Sequence, residues 1–114
     1  MPHIIIEYSQ NIEASIDMPA LLAQTHDILA AQGIDRARIK TRGIAVSHAV
    51  VGNDGANGAM AHITLLLLEG RDTPTKQQYG TSIHEHVKGV IIQSIPDAKV
   101  TLEVRDMDKD TYIL

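Results

Sequence analysis

The chain has 114 residues, 44% of them hydrophobic, with three tyrosines but no phenylalanine, tryptophan or cysteine. Such a length predicts one domain, residues 1–114, and the composition requires its core to be aliphatic. A net charge of −4 with scattered cations argues against nucleic acid as a partner, and the lack of cysteine excludes disulfides and thiolate chemistry. We expect a cytoplasmic protein with no membrane partner, because neither a leader nor a membrane-spanning run is recognised.

A buried strand and an amphipathic helix are predicted in the first third of the chain. The strand is the short β-branched run "HIIIEY". The helix is predicted to begin after the N-cap Asp17, with Pro19 in its first turn, and to stop at Gly33. Its apolar face contains Leu21, Leu22, Ile28 and Leu29.

A second strand is predicted within residues 38–51, "RIKTRGIAVSHAVV", which are rich in β-branched side chains. Gly43 in the middle of this stretch predicts a bulge or bend. The tract "GNDGANG" that follows has the composition of a loop, and it lacks the Gly-Lys-Ser/Thr of a phosphate-binding loop.

The second half of the chain repeats this plan. "MAHITLLLLEG" predicts a strong strand, and a helix is predicted next, with Asp72 or Thr73 as its cap and Pro74 at its first position. The alternation of apolar and polar residues in "AKVTLEVRDMD" predicts a strand with one covered face. The apolar stripe of the helix contains Tyr79, Ile83, Val87 and either Val90 or Ile91.

These elements predict an α+β fold made of a tandem β-α-β repeat, residues 1–52 and 59–114. Strands joined through a helix run parallel, so we expect a four-stranded mixed sheet with both helices on one face. The other face would be exposed, and a closed homotrimer would hide it. We expect that exposed face to be aliphatic, with Ile4, Ile6, Ile63, Leu65, Leu67, Val100 and, in part, Leu102.

Several polar motifs are explained more simply by ordinary roles than by binding sites. His84 and His86 are two apart on a helix and point to different sides, so no metal site is predicted. "RDMDKDTYIL" begins like a calcium loop, but Thr111 stands in place of the glycine, so a solvated tail is predicted. For His3 and His62, hydrogen bonding within a strand is a simpler explanation than catalysis.

Pro2 is the residue whose chemistry could be catalytic. We expect Met1 to be removed because the next residue is small, which leaves Pro2 as a free secondary amine at the head of a strand. Burial and nearby cations can lower the pKa of such an amine, so that it is neutral near pH 7 and acts as a general base. The alternative is that a proline at the second position has no function, and spacing alone favours that alternative.

Four groups of residues carry a resemblance to a known family. They are "MPHIIIEYS", the Asn-Ile of "SQNI", "IKTR" after the first helix, and "AHITLLLLEGRD" followed by "QQ". On these residues nearly the whole chain resembles the 5-carboxymethyl-2-hydroxymuconate isomerases. They belong to the tautomerase superfamily, with 4-oxalocrotonate tautomerase and the migration-inhibitory-factor proteins. The resemblance implies a repeated β-α-β fold and a homotrimer.

The resemblance also implies the residues of an active site. The catalytic base of the family is an amino-terminal proline, which matches Pro2, and an arginine after the third strand, which binds substrate, matches Arg71. A second family arginine matches Lys40, which lacks a guanidinium group, and Arg42 on the same strand face is the other candidate for its role. The middle loop and the tail also depart from the aromatic-containing versions of the family.

The activity that the resemblance implies is that of an isomerase with neither cofactor nor metal. Its substrate would be a small dicarboxylate, a 2-hydroxymuconate-type dienol from aromatic-acid degradation, which is converted to the 2-oxo-3-ene isomer. Two alternatives stay open. Because Lys40 and the middle loop depart from the family, the substrate could be another enol acid, and a non-catalytic trimer with a structural or interaction role would have the same fold.

Overall fold

The computed structural model describes all 114 residues as a four-stranded sheet with two helices packed on one face. This arrangement is an α+β fold, and the predicted fold class is confirmed. Short 3-10 turns occur at Gln10–Ala14, Arg36–Arg38 and Gly52–Asp54. The main elements are β1 (His3–Ser9), α1 (Met18–Ala30), β2 (Lys40–Val46), β3 (Met60–Leu68), α2 (Thr73–Ser94) and β4 (Lys99–Met107).

The strands lie in the order β2-β1-β3-β4. β1 is parallel to β2 and β3 is parallel to β4, as the helical crossovers require, whereas the central pair β1 and β3 is antiparallel. The register pairs His3 with both Lys40 and Leu66, and it pairs Leu68 with Met107. The first residues of β1 and β2 therefore meet the last residues of β3 and β4 at one end of the sheet, which we call the Pro2 end.

Both helices begin at the predicted aspartates. The Asp17 carboxylate accepts a hydrogen bond from the backbone N–H of Ala20 at 3.1 Å, and the Asp72 carboxylate accepts one from Thr75 at 2.9 Å. The cap of α2 is therefore Asp72 rather than Thr73. Neither helix is long and apolar enough to cross a membrane.

The faces of the sheet are the reverse of those predicted. The residues expected on the exposed face lie under the helices, where Ile4, Ile6, Ile63, Leu65 and Leu67 are fully buried, Val100 is buried and Leu102 packs against them. An all-apolar run does not show which of its alternate residues face the core. The open face carries the alternate residues, many of them polar: His3, Glu7, Lys40, Arg42, His62, Thr64, Thr101, Glu103 and Arg105.

β2 is shorter than predicted, and it contains no bulge. Gly43 pairs with Ile6 in an unbroken register. A Cβ atom on Gly43 would lie 3.2 Å from Cδ1 of Leu22 in α1 and 3.3 Å from Cε1 of Tyr8. The glycine therefore allows α1 to pack closely against this edge strand, which explains its position without a bend in the backbone.

Candidate active site

Pro2 lies immediately before β1 and is buried. Its carbonyl oxygen accepts a hydrogen bond of 3.0 Å from the backbone N–H of Lys40, which extends the parallel pairing of β1 and β2 by one residue. This bond fixes the backbone of Pro2 and brings the start of β2 beside it. The sheet thus holds Pro2 in a fixed position, as expected for a residue that directly precedes a strand.

Arg71 reaches the same end of the sheet along β3. Because β3 runs antiparallel to β1, its last residue, Leu68, lies beside the start of the chain. Gly70 then turns the chain with a φ of +121°, and the Arg71 guanidinium donates a hydrogen bond to the Leu68 carbonyl oxygen at 3.5 Å. Its central carbon lies 6.0 Å from the centroid of the Tyr79 ring, within range of a cation–π contact.

Three cations surround the amino terminus. The pKa of the Met1 amino group is lowered, first by partial burial and then by the positive charges of Arg71, Arg38 and Lys40. Two of these, Arg71 and Lys40, are substrate-binding candidates from the sequence. Arg38 lies in the turn before β2 and was not predicted from the sequence, although its place two residues before Lys40 could have suggested it.

Lys40 and Arg42 have different surroundings, although they share a face of β2. The charge of Lys40 lowers the pKa of the amino terminus, whereas Arg42 donates a hydrogen bond of 3.0 Å to Nδ1 of His3. The pKa of His3 is lowered by burial and by the charges of Arg42 and Lys40. No carboxylate lies within ion-pair distance of Lys40, Arg42 or Arg71, so all three side chains are available to an anionic ligand.

The end of the chain also contributes to the Pro2 end. The prediction of a solvated tail is wrong for Tyr112, which is half-buried and whose hydroxyl group lies 2.8 Å from Nε2 of His3. The acidic residues before it form a turn instead of a calcium loop, because the Asp108 backbone carbonyl accepts hydrogen bonds from the N–H groups of Thr111 and Tyr112. His62, by contrast, has the ordinary role expected of it, in a hydrogen bond of 2.7 Å to Thr101.

The largest groove of the chain lies elsewhere. It has a volume of about 690 Å³ between α2 and β4, and none of the candidate residues Pro2, Lys40, Arg42 and Arg71 lines it. No group of three or more histidine or acidic side chains is arranged to hold a metal ion. The other larger grooves of the chain are not lined by these residues either, so the Pro2 end is an open cationic corner in a single chain.

The repeated β-α-β sheet with cations around the start of β1 defines a protein of the tautomerase fold. A solved 5-carboxymethyl-2-hydroxymuconate delta-isomerase superposes with a TM-score of 0.84 at 17% identity, over 100% of this chain and 87% of that one. A structure described as a fused 4-OT symmetric trimer superposes with a TM-score of 0.72 at 19% identity, over 98% and 90%.

The comparison of sequences gives the particular family. The profile of the 5-carboxymethyl-2-hydroxymuconate isomerases matches residues 2–113. The 5-carboxymethyl-2-hydroxymuconate Delta-isomerase of Escherichia coli is 36% identical over 89 residues, which are 77% of this chain and 71% of that enzyme. The chain belongs to the 5-carboxymethyl-2-hydroxymuconate isomerase family.

Proposed function

We propose that this protein is a cofactor-free isomerase that converts 5-carboxymethyl-2-hydroxymuconate into its 2-oxo-3-ene isomer. Membership of the family supports the reaction, as does the activity named for the relative from Escherichia coli. The structural observation that carries the proposal is the convergence of Arg71 and Lys40 on the amino terminus beside buried Pro2. A base among cations suits a substrate that is an acid and carries several carboxylates.

Pro2 is the catalytic base in this proposal. With Met1 attached its nitrogen is an amide without a basic lone pair, so removal of Met1 comes first. The neutral amine takes the proton of the 2-hydroxyl group; the C2–O bond becomes a carbonyl, and the double bonds shift along the chain. The same nitrogen then returns a proton to C5, which leaves the double bond at C3. Positioned proton transfer of this kind contributes about 10²–10⁴ in rate.

The cations bind and polarise the substrate. Arg71 can bind a carboxylate through two parallel hydrogen bonds. Because Arg71 lies just before α2, the N-terminus of that helix adds its own attraction for an anion. The Lys40 ammonium group is a point charge that stabilises the negative charge developing on the oxygen of C2. Arg42, two residues farther along β2, would meet a more distant part of the substrate. The same cations lower the pKa of the amine and so keep the base neutral.

The proposal includes a homotrimer in which each chain is a single domain. The protein would act in the cytoplasm, in the breakdown of aromatic acids. The fused 4-OT structure of the same fold is described as a trimer. A single chain leaves the Pro2 end open, and both edge strands, β2 and β4, have unpaired backbone groups that another subunit would cover. The substrate would then be enclosed between subunits.

A tautomerase for a different enol acid is the second candidate. The observation in its favour is Lys40, because an ammonium group does not make the bidentate bond that a guanidinium makes with a carboxylate. An assay of ketonisation with several dienols, from 5-carboxymethyl-2-hydroxymuconate to monocarboxylates, would rank the substrates by kcat/KM. Preference for a monocarboxylate would favour the second candidate.

The experiment that tests the mechanism combines mass spectrometry with that assay. We expect intact protein from its own host to lack one methionine, and only this form to catalyse ketonisation. Pro2→Ala in the methionine-free form should remove most of the activity, since a primary amine on a flexible residue replaces the fixed proline nitrogen. Full activity of the alanine variant would disprove the role of Pro2, and absence of activity in the parent would favour a non-catalytic trimer.

A further inference from the structure

The C-terminal segment is anchored on the first strand. After β4 the backbone N–H of Tyr112 bonds to the Asp108 carbonyl at 2.9 Å, which turns the chain back over the sheet. The Tyr112 ring then meets the imidazole of His3 edge to face, with centroids 5.8 Å apart and an angle of 73° between the planes. A residue at the end of the chain is thereby held against the residue that follows Pro2.

The hydrogen bonds at His3 fix its protonation state. A guanidinium group only donates, so Nδ1 of His3 must accept the bond from Arg42 and carries no proton. In the neutral imidazole the proton is then on Nε2, which donates to the Tyr112 hydroxyl oxygen. The lowered pKa of His3, which burial, Arg42, Lys40 and the amino terminus bring about, agrees with a neutral ring.

This chain of bonds orients Arg42. The side chain is exposed and has no carboxylate partner, so the bond to His3 is what restricts its guanidinium. One of its nitrogens is used by His3, and the remaining N–H groups are free for a ligand. Two residues along a strand correspond to roughly 6–7 Å, so Arg42 lies beyond Lys40 by about the length of a six-carbon conjugated chain.

We propose that Tyr112 and His3 are positioning residues that hold the Arg42 guanidinium where it binds the far carboxylate of the substrate. The far carboxylate is that of C6, at the end of the conjugated chain opposite the 2-hydroxyl group. The inference rests on the proposed function for the identity of the substrate. Tyr112 acts through His3 and does not touch the reacting atoms, so its loss should weaken binding and leave the chemical step intact.

The kinetic test is Tyr112→Phe in the methionine-free enzyme, which keeps the ring and removes the acceptor for His3. We expect KM for 5-carboxymethyl-2-hydroxymuconate to rise about 2- to 10-fold, the value of one hydrogen bond, with kcat unchanged. With 2-hydroxypentadienoate, which has no far carboxylate, KM should stay at the parental value. The matched control is Tyr8→Phe, which removes a hydroxyl group bonded to Glu13 at the other end of β1.

A double-mutant cycle separates positioning from general stability. In the Arg42→Ala background, Tyr112→Phe should have no further effect on KM, because the group that it positions is gone. His3→Asn, whose amide oxygen can replace Nδ1 as acceptor, should retain more affinity than His3→Ala. An equal rise in KM with both substrates, or a rise that persists in the Arg42→Ala background, would overturn the proposal.

A measurement without substrate distinguishes this proposal from the proposed function. The ¹⁵N shifts of the His3 imidazole should show the neutral Nε2–H tautomer at pH 7, and Arg42→Ala should release that preference. The Nδ1–H tautomer in the parent would overturn the proposed positioning of Arg42 by His3 and Tyr112, even in an active isomerase. If Pro2→Ala proved fully active while His3 kept the expected tautomer, the proposed catalytic mechanism would fail and the positioning role of His3 would stand.

Discussion

Arg71 combines three features of a substrate-binding residue: it has no carboxylate partner, its charge lowers the pKa of the amino terminus, and it precedes a helix. We predict that Arg71→Ala lowers kcat/KM by the loss of a charge-assisted hydrogen bond, about 1.5–3 kcal/mol, or about 10- to 150-fold. The measurement is ketonisation of 5-carboxymethyl-2-hydroxymuconate by the methionine-free enzyme. Arg71→Lys is the matched control, since it keeps the charge and loses the bidentate geometry. Its kcat/KM should lie between those of the parent and of Arg71→Ala.

The circular dichroism spectrum of Arg71→Ala should match that of the parent, because the cap of α2 is Asp72 and the core does not include Arg71. If the folded alanine variant retains the parental kcat/KM, Arg71 is only a surface residue at the start of α2.

The cations around the amino terminus predict a pH dependence. A base must be neutral, so activity should fall as the pH drops through the pKa of the Pro2 amine. We expect burial and nearby positive charges to lower that pKa, because they lower the pKa of the Met1 amino group in the unprocessed chain. Removing a positive charge makes the protonated amine less unfavourable and raises its pKa. Arg71→Ala and Lys40→Ala should therefore move the acid limb of the kcat/KM profile to higher pH.

Arg42→Ala serves as the control for this prediction, because Arg42 bonds to His3 and does not contribute to the lowered pKa of the terminus. Its acid limb should coincide with that of the parent. If the acid limb of Arg42→Ala shifted as far as that of Arg71→Ala, the pKa of the base would not depend on the particular cations near the amino terminus. A profile that neither Arg71→Ala nor Lys40→Ala moves would contradict the role of Pro2 as the titrating base.

Among the elements, β2 depends on one glycine for its contact with α1. A Cβ atom at Gly43 would already lie 3.2 Å from Leu22, so we predict that the branched side chain of Gly43→Val forces α1 away from the strand. Overpacking of this kind costs about 1–3 kcal/mol in the free energy of unfolding, measured by urea denaturation. Gly89→Val in α2, where a Cβ atom meets nothing within 4 Å, is the comparison for a glycine without close neighbours. Equal stability of Gly43→Val and the parent would contradict the close packing.

The helices and strands were predictable because local signals specify them. Asp17 and Asp72 cap their helices, and the β-branched runs form the strands. The assignment of faces was wrong because "HIIIEY" and "ITLLLL" are apolar at nearly every position, so periodicity does not distinguish the two sides. The polar residues that interrupt these runs, such as Glu7, were the available signal, since they lie on the open face.

The residues of the Pro2 end differ in how far the sequence reveals them. Pro2, Arg71 and Lys40 were found through the resemblance to the family, and their roles stay predictions. Arg38 and Tyr112 were missed, because their positions depend on strand register and on the path of the chain after β4. Contacts between residues 109 positions apart, such as that of His3 with Tyr112, leave no periodic trace in a single sequence.

For the whole molecule we predict a homotrimer. The aliphatic face expected to be covered by the trimer is buried within the chain, but the unpaired edges of β2 and β4 and the open Pro2 end still favour association. Sedimentation at micromolar concentration should give a single species of about three times 12.4 kDa. A stable monomer with full activity would contradict both the trimer and a site enclosed between subunits.

The placement of the three tyrosines gives the protein an optical signal of its own. There is no tryptophan to mask tyrosine emission, and Tyr79 and Tyr112 both lie at the Pro2 end, beside Arg71 and His3. The third, Tyr8, is buried at the other end of β1, where burial and its hydrogen bond to Glu13 raise its pKa to about 12. Intrinsic fluorescence excited near the tyrosine absorption band should therefore follow occupancy of the Pro2 end without a label, against a nearly constant background from Tyr8.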